Sequence, residues 1–350
     1  MPHSCDAVLL EWAKSHGVRA PGFTIAEAVD GERGIYAAKD LHAREEVVAV
    51  PRRLVLTDAD ARARNVIVRR VLQLSTTKDV RPEHQLVIYL VCQRAQLDRA
   101  RLGGVKPLFE EGHKEHQSHD LDVDALVDAP CFGPWYDALP SDFSALPMCW
   151  SSDAALDALL PRTRAAVARG QRAEVEWLRG LLELAAPGVL AAAEGAWIAA
   201  GRPHDPMSWA YATVRSRAFQ IEVGGHPRAA MCPLVDLINH GTGNEVNAEW
   251  GFNNTLGEFY VRATRPVQDG AQLLDSCTRR SASPPHIHCI SVASPSIASL
   301  SHLHSISVAS PSVASPSHLR RISAASLPAS VKRRALSFVS CYCFFMPSSI

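Results

Sequence analysis

The chain lacks an excess of either charge. Its 36 Lys and Arg residues balance 36 Asp and Glu residues over 350 positions, so electrostatics alone points to neither a nucleic acid nor an anionic membrane as a partner. It lacks paired Cys-x-x-Cys spacing. The nine cysteines are scattered, which fits free thiols in a reducing compartment better than a disulfide framework. Cys341-x-Cys343 is half of a zinc motif and reads as apolar filler. No strand-like stretch runs into G-x-G-x-x-G and a helix, which disfavours a Rossmann-type cofactor domain. There is no H-E-x-x-H. His113, His116 and His119 recur at a three-residue spacing, but charged neighbours surround them without apolar support. A solvated loop is the better reading there, and no metal is expected. The apolar run 335–346 falls short of the ~20 residues that span a bilayer. Met1–Val18 has no long apolar core and carries Asp6 and Glu11, unlike a secretory signal or an Arg- and Ser-rich transit peptide. The expected address is cytoplasmic or nuclear, with a plastid left open.

What is present is more specific. Met231-Cys232-Pro233-Leu234-Val235-Asp236-Leu237-Ile238 is a mostly apolar run that ends in Asn239-His240, with Gly241 and Gly243 just after. Such a run reads as a buried segment that delivers two polar side chains to a turn. Asn239 offers both ends of an amide and His240 two ring nitrogens. Buried beside a turn, they either staple the loop or hold a ligand.

Upstream, the period of the apolar residues changes twice. Phe23–Val29, Ile35–Ala38, Val47–Val50 and Leu54–Thr57 are short and strand-like, punctuated by Gly31, Gly34 and Pro51. Gly31 reads as a plain hairpin turn; at Gly34 the backbone either approaches a ligand closely or takes positive φ. From Asp58 to Asp205 the pattern is helical: His84–Leu97 and Ala154–Ala200 are rich in Ala and Leu, with breaks expected at Pro161, Gly170 and Pro187. Met207–Phe219 is predicted helical, with Asp205 as cap and Pro206 as first residue. On it, Ser216-Arg217 stands beside Ala218 and Phe219, while Arg215 reads as surface. A guanidinium against an apolar wall needs an acidic partner, which is either an internal carboxylate or that of a bound ligand. Strand-like Ala248–Phe252, Glu258–Ala263 and Ala271–Asp275 follow. Near the N-terminus, Val8, Leu9, Trp12 and Ala13 suggest a short amphipathic helix.

After Ser276 the composition turns to Ser, Pro, His and Ala. Segments starting at Ile290, Ile306 and Ile322 repeat imperfectly every sixteen residues. Low complexity of this kind cannot bury enough surface to fold alone. The resulting expectation is an α+β chain in five parts: an N-terminal helix at 1–21, a first part of a β core at 22–57, a helical insertion at 58–204, the second part of the core at 205–277, and a disordered tail at 278–350.

Four pieces occur in a telling order. They are the hairpin Gly31-Glu32-Arg33-Gly34-Ile35-Tyr36-Ala37, the strand Glu45-Glu46-Val47-Val48-Ala49-Val50-Pro51, the Ser216-Arg217 helix, and Asp236-x-x-Asn239-His240. With Trp135-Tyr136-x-x-Leu139-Pro140 and Trp150 they resemble the SET-domain methyltransferases, in the branch typified by the Rubisco large-subunit lysine methyltransferase. The resemblance covers roughly Gly22 to Ser276. It implies a SET-type curled β core with a helical insertion, S-adenosyl-L-methionine as cofactor, and a lysine side chain of a protein as substrate. It also implies cofactor contacts from the backbone around Gly34 and the backbone of Glu45, Glu46 and Val47, from the Arg217 side chain, and from Asp236, Leu237, Ile238, Asn239 and His240. Relatives continue the last strand into Tyr-Gly, whose tyrosine lines the lysine channel. Here that slot holds Cys277, so no intact catalytic residue is expected and turnover by this chain is expected to be impaired. The alternatives are a non-catalytic SET-like binding protein and a truncated or mis-spliced product.

Overall fold

The computed structural model describes residues 4–27, 33–74, 80–101, 132–150 and 152–276. Gly31, the segment holding His113, His116 and His119, Cys277 and the repeats that follow it lie outside the described residues. Helix α1 (Ser4–Ser15) opens the chain. Its inner face is Leu9, Trp12 and Ala13, an i, i+3, i+4 row. Val8, expected with them, is one position off that row and 53% exposed.

Four short strands come next: β1 (Phe23–Glu27), β2 (Arg33–Ala37), β3 (Glu46–Pro51) and β4 (Leu56–Thr57). A helical stretch follows, with α2 (Asp58–Arg64), α3 (Val66–Leu74), α4 (Pro82–Arg101), α5 (Gly133–Ala138), α6 (Asp153–Leu159), α7 (Arg162–Ala185), α8 (Val189–Ala199) and α9 (Pro206–Arg217). Strands then resume as β5 (Phe219–Val223), β6 (His226–Met231), β7 (Asn239–Gly241), β8 (Ala248–Asn253), β9 (Glu258–Ala263) and β10 (Leu274–Ser276).

The strands form several small sheets: β1-β2, β3-β9-β8, β4-β6-β5 and β10-β7. Pairing is antiparallel except for β7 with β10, which run parallel. Backbone bonds knit the sheets together: Leu273 N–H donates to the Ile35 carbonyl at 2.8 Å and Ala37 N–H to the Ala271 carbonyl at 2.9 Å. The β4 and β5 strands, on either side of the helical stretch, both pair with β6. The helices therefore enter and leave at the same small sheet. This is an α+β fold of curled strands interrupted by helices.

Two expectations on the helices need correction. Helix α7 runs straight through Gly170. A mid-helix glycine costs about 1 kcal/mol relative to alanine, and the buried row Ala165, Ala168, Val175, Leu178 and Leu182 outweighs it. Phe219, predicted as the end of a helix, instead begins β5, because Ala218 has turned to extended backbone. The start of α9 is as expected: Asp205 caps it by accepting from Met207 N–H at 3.0 Å and Ser208 N–H at 2.9 Å, and Pro206 sits where no N–H is needed.

Buried polar groups pin α9 to the other helices. Glu174 of α7 accepts from the Tyr211 hydroxyl of α9, and its other oxygen lies 3.1 Å from His84 Nε2 of α4. Arg81 pairs with the same carboxylate. Burial alone would raise this carboxyl, but the hydrogen bonds from His84 and Tyr211 and the charges of His84 and Arg81 bring it from 4.5 down to about 2. A depressed carboxyl contributes stability above its unfolded value and loses it as pH falls through the folded one. Stability measured by chemical denaturation should therefore fall between about pH 4.5 and 2, and Glu174→Gln should flatten that part of the profile. An unchanged profile in the variant would show that this network does not carry the acid sensitivity.

Candidate functional site

The run from Met231 is as buried as its composition demands; Met231, Cys232, Leu234 and Val235 are fully enclosed. It turns at Leu234, a non-glycine residue with φ of 69°, and then makes a 3₁₀ turn at Val235–Leu237. Such backbone costs roughly 1–3 kcal/mol and persists only where its surroundings over-determine it. Nothing in the local sequence pattern announces that strain. Its effect is to aim Asp236 inward and to present Asn239 and His240 on β7.

Gly34 of β2 lies directly against Asn239. A Cβ at Gly34 would come within 2.6 Å of Gln272 Nε2 and 2.9 Å of Asn239 Nδ2. Gly34 does not take positive φ, and what approaches it closely within the chain is a pair of side-chain amides. Asn239 Nδ2 donates to the Arg33 carbonyl at 3.2 Å. His240 Nδ1 pairs with Asp275, its register partner on the parallel strand β10. That carboxylate is fully buried and holds the imidazole ring through Nδ1. Asn247, which no sequence signal marked, staples the same strand: it accepts from Leu274 N–H at 2.8 Å and donates to the Gln272 carbonyl at 2.8 Å.

Arg217 closes the cluster from the end of α9. Its Nη1 donates to the Asp236 carbonyl. Asp236 also provides the neighbouring negative charge, while the bond itself goes to its carbonyl, so among the described residues no internal carboxylate is seated on the guanidinium. The Asp236 carboxylate accepts from Trp135 Nε1 of α5 at 3.0 Å. Burial holds the Arg217 pKa below its ordinary value, opposed by Asp236 and reinforced by the charge of Arg33. Burial likewise raises the Asp236 carboxyl, against Arg217, Trp135 and Arg33. Each charge is thus costly to bury, and each opposes the shift of the other. Even so, Arg217 Nε, Gln272 Nε2, Asp236 Oδ1 and Asp275 Oδ2 are buried with no hydrogen-bond partner among the described residues.

The cluster therefore gathers Gly34, Arg217, Asp236, Leu237, Ile238, Asn239 and His240. It does not gather Glu45, Glu46 and Val47. Glu45 pairs with Lys39 at 2.6 Å and accepts from His42 N–H at 2.9 Å, and Glu46 pairs with Arg19 at 3.3 Å. Val47 is buried in β3, whose partner is β9. A separate cleft of about 330 Å³ lies among Cys149, Arg172, Glu176, His204 and Ser208 and contains none of these residues. Burial pushes the Cys149 thiol there up to about 12, with Asp205 and Asp142 adding to it, so it is not a thiolate nucleophile. Among the described residues no group of three or more His, Cys, Asp or Glu is placed to hold a metal ion.

This architecture has known counterparts. The family model for the SET domain matches residues 32–278, most of the chain, and the protein belongs to the SET-domain family. Among solved structures, the SET domain of LSMT bound to lysine and AdoHcy is similar at a TM-score of 0.52 and 18% identity, covering 78% of this chain and 53% of that one. The same domain bound to methyllysine and AdoHcy gives a TM-score of 0.51 at 18% identity, with the same coverage of 78% and 53%. Rubisco LSMT bound to AdoMet also gives 0.51 at 18% identity, again covering 78% and 53%. At that identity the likeness is one of fold, and this chain spans about half the length of those structures. No curated protein matches.

Gly34→Ala tests the close approach. The obstructing atoms are the far ends of two side chains, so the fold should survive while Asn239 loses its bond to the Arg33 carbonyl. The expected cost is about 1 kcal/mol in chemical denaturation. A neutral or stabilising substitution would mean that Asn239 does not press on this strand.

Proposed function

We propose that this chain is an S-adenosylmethionine-dependent protein-lysine N-methyltransferase of the SET class. The observation that carries the reading is the set of orphaned polar atoms around Gly34: the donors Arg217 Nε and Gln272 Nε2 and the acceptor Asp236 Oδ1. The amino-acid end of the cofactor has one carboxylate and one ammonium, and this set has a partner for each. S-adenosylmethionine, when bound, supplies a methyl group on a sulfonium. Arg217 would grip the carboxylate, and Asp236 would face the ammonium. The bare Gly34 backbone and the edge of β7 from Ile238 to His240 would line the remainder. Glu45, Glu46 and Val47 would contribute backbone alone, since both glutamates already hold cationic partners.

A protein lysine as the acceptor is supported by the LSMT structures that hold lysine and methyllysine. With a pKa near ~10.4, a free lysine costs roughly 4 kcal/mol to deprotonate at physiological pH. An apolar wall such as Leu237 and Ile238 favours the neutral amine. Cys277 in place of the channel tyrosine leaves that amine without an orienting phenol, and a misplacement of about 1 Å costs roughly a hundredfold in rate. The same residue favours a second reading, a SET-like protein that binds without turning over.

Two measurements test the proposal. By isothermal titration with S-adenosylmethionine, Arg217→Ala and Asn239→Ala should each weaken binding about 10- to 150-fold, the equivalent of ~1.5–3 kcal/mol. Unchanged affinity in folded variants would refute the assignment. In an assay of S-adenosylhomocysteine release with candidate protein substrates, the unaltered chain should be slow and Cys277→Tyr faster by roughly a hundredfold. Robust substrate-dependent turnover by the unaltered chain would show that the tyrosine slot does not matter.

A further inference from the structure

Arg33 lies in the hairpin that carries the family resemblance but was given no role of its own there, yet three elements meet on it. Its Nη2 pairs with Asp6 of α1. Its Nη1 donates to the Ala138 carbonyl at 2.6 Å, on the same short helix α5 whose Trp135 holds Asp236. Its own carbonyl accepts from Asn239 Nδ2 at 3.2 Å. Asp6 is only 2% exposed, so its carboxylate depends on this partner, because an unpaired buried charge is strongly destabilising. Only a forked guanidinium reaches two divergent acceptors in this way; a lysine offers a single point of charge.

We infer that Asp6 and Arg33 are positioning residues of the candidate site: the ion pair from α1 sets the β2 carbonyl that holds Asn239. The coupling runs through direct contact at the neighbouring residue. With Gln272 Nε2 and Asn239 Nδ2 already at 2.6 and 2.9 Å from where a Gly34 Cβ would stand, a small shift of β2 moves both amides. Aromatic packing keeps α1 in register for this task. Trp12 lies 5.9 Å from Phe132, which contacts Trp135 at 5.6 Å between ring centroids. The N-terminal helix is thereby part of the site's scaffold, although it contributes no group to the cluster itself. The inference rests on the cofactor reading only for its effect on binding; the mechanical link stands apart from any ligand.

The test uses the full chain and two readouts. Asp6→Ala should speed backbone hydrogen exchange in residues 33–37 and 239–241 by about tenfold, leaving β8 and β9 unchanged. It should weaken binding of S-adenosylhomocysteine, the probe used here, by at least about fivefold. Asp6→Glu should restore both. Arg202→Gln, which removes a 2.7 Å ion pair to Asp98 in the helical layer, should change neither. If Asp6→Ala does not fold, Arg33→Lys keeps the charge, loses the fork and should show the same pattern. Unchanged exchange at 239–241, or the same change in Arg202→Gln, overturns the inference. If the parent chain fails to bind the probe, the cofactor reading falls, and the exchange comparison alone decides the positioning role.

Discussion

The missing side chain at Gly34 is the constraint on which the site depends. Because nothing projects from that position, the amides of Asn239 and Gln272 can lie against the β2 backbone, closer than any Cβ would allow. Two stretches separated by more than two hundred residues from β2 thereby reach it, β7 through the Asn239 side chain and the approach to β10 through Gln272. Parallel pairing of β7 with β10 follows, and it places His240 opposite Asp275. A larger residue at Gly34 would force both amides off the strand and loosen the crossing of these segments.

Around that contact the structure accepts costly burial. Arg217 and Asp236 are each pushed toward their neutral forms by desolvation, and the charge of each opposes that shift in the other. Such pairs rarely add net stability compared with an apolar core, but removing one partner is severe. Trp135 and the Asp236 carbonyl satisfy part of the pair, and several polar atoms remain orphaned. Buried unsatisfied groups in a native fold call for a reason, and under the proposed reading a zwitterionic ligand end would pair with both the donors and the acceptors. The separate cleft near Cys149 has no comparable set: the guanidinium of Arg172 is spent on Asp153 and the carbonyls of Met148 and Trp150.

Much of this was legible before the structure, for local reasons. The Asp205-Pro206 start of α9 is a capping signal, and Arg217 lies at the other end of the same helix. The abrupt end of an apolar run marked Asn239 and His240, and Gly34 stood out as a glycine between strand-like stretches where close approach or positive φ was expected. What escaped was long-range. Trp135 meets Asp236 across 101 residues, and Arg33 meets Ala138 across 105; no periodicity encodes such pairs. Glu45 and Glu46 were marked by their place in a motif, which does not reveal that their side chains are taken by Lys39 and Arg19. Gly170 looked like a helix break because intrinsic propensity was weighed without the buried row that overrides it.

A crystal structure of the chain with S-adenosylhomocysteine tests the account most directly. It should place the amino-acid end of that molecule beside Arg217 and Asp236, against Gly34 and the edge of β7, with Arg217 Nε and Asp236 Oδ1 both satisfied. Density for the ligand in the cleft near Cys149 instead, or a cluster unchanged with its orphaned atoms still unpaired at saturating ligand, would contradict it.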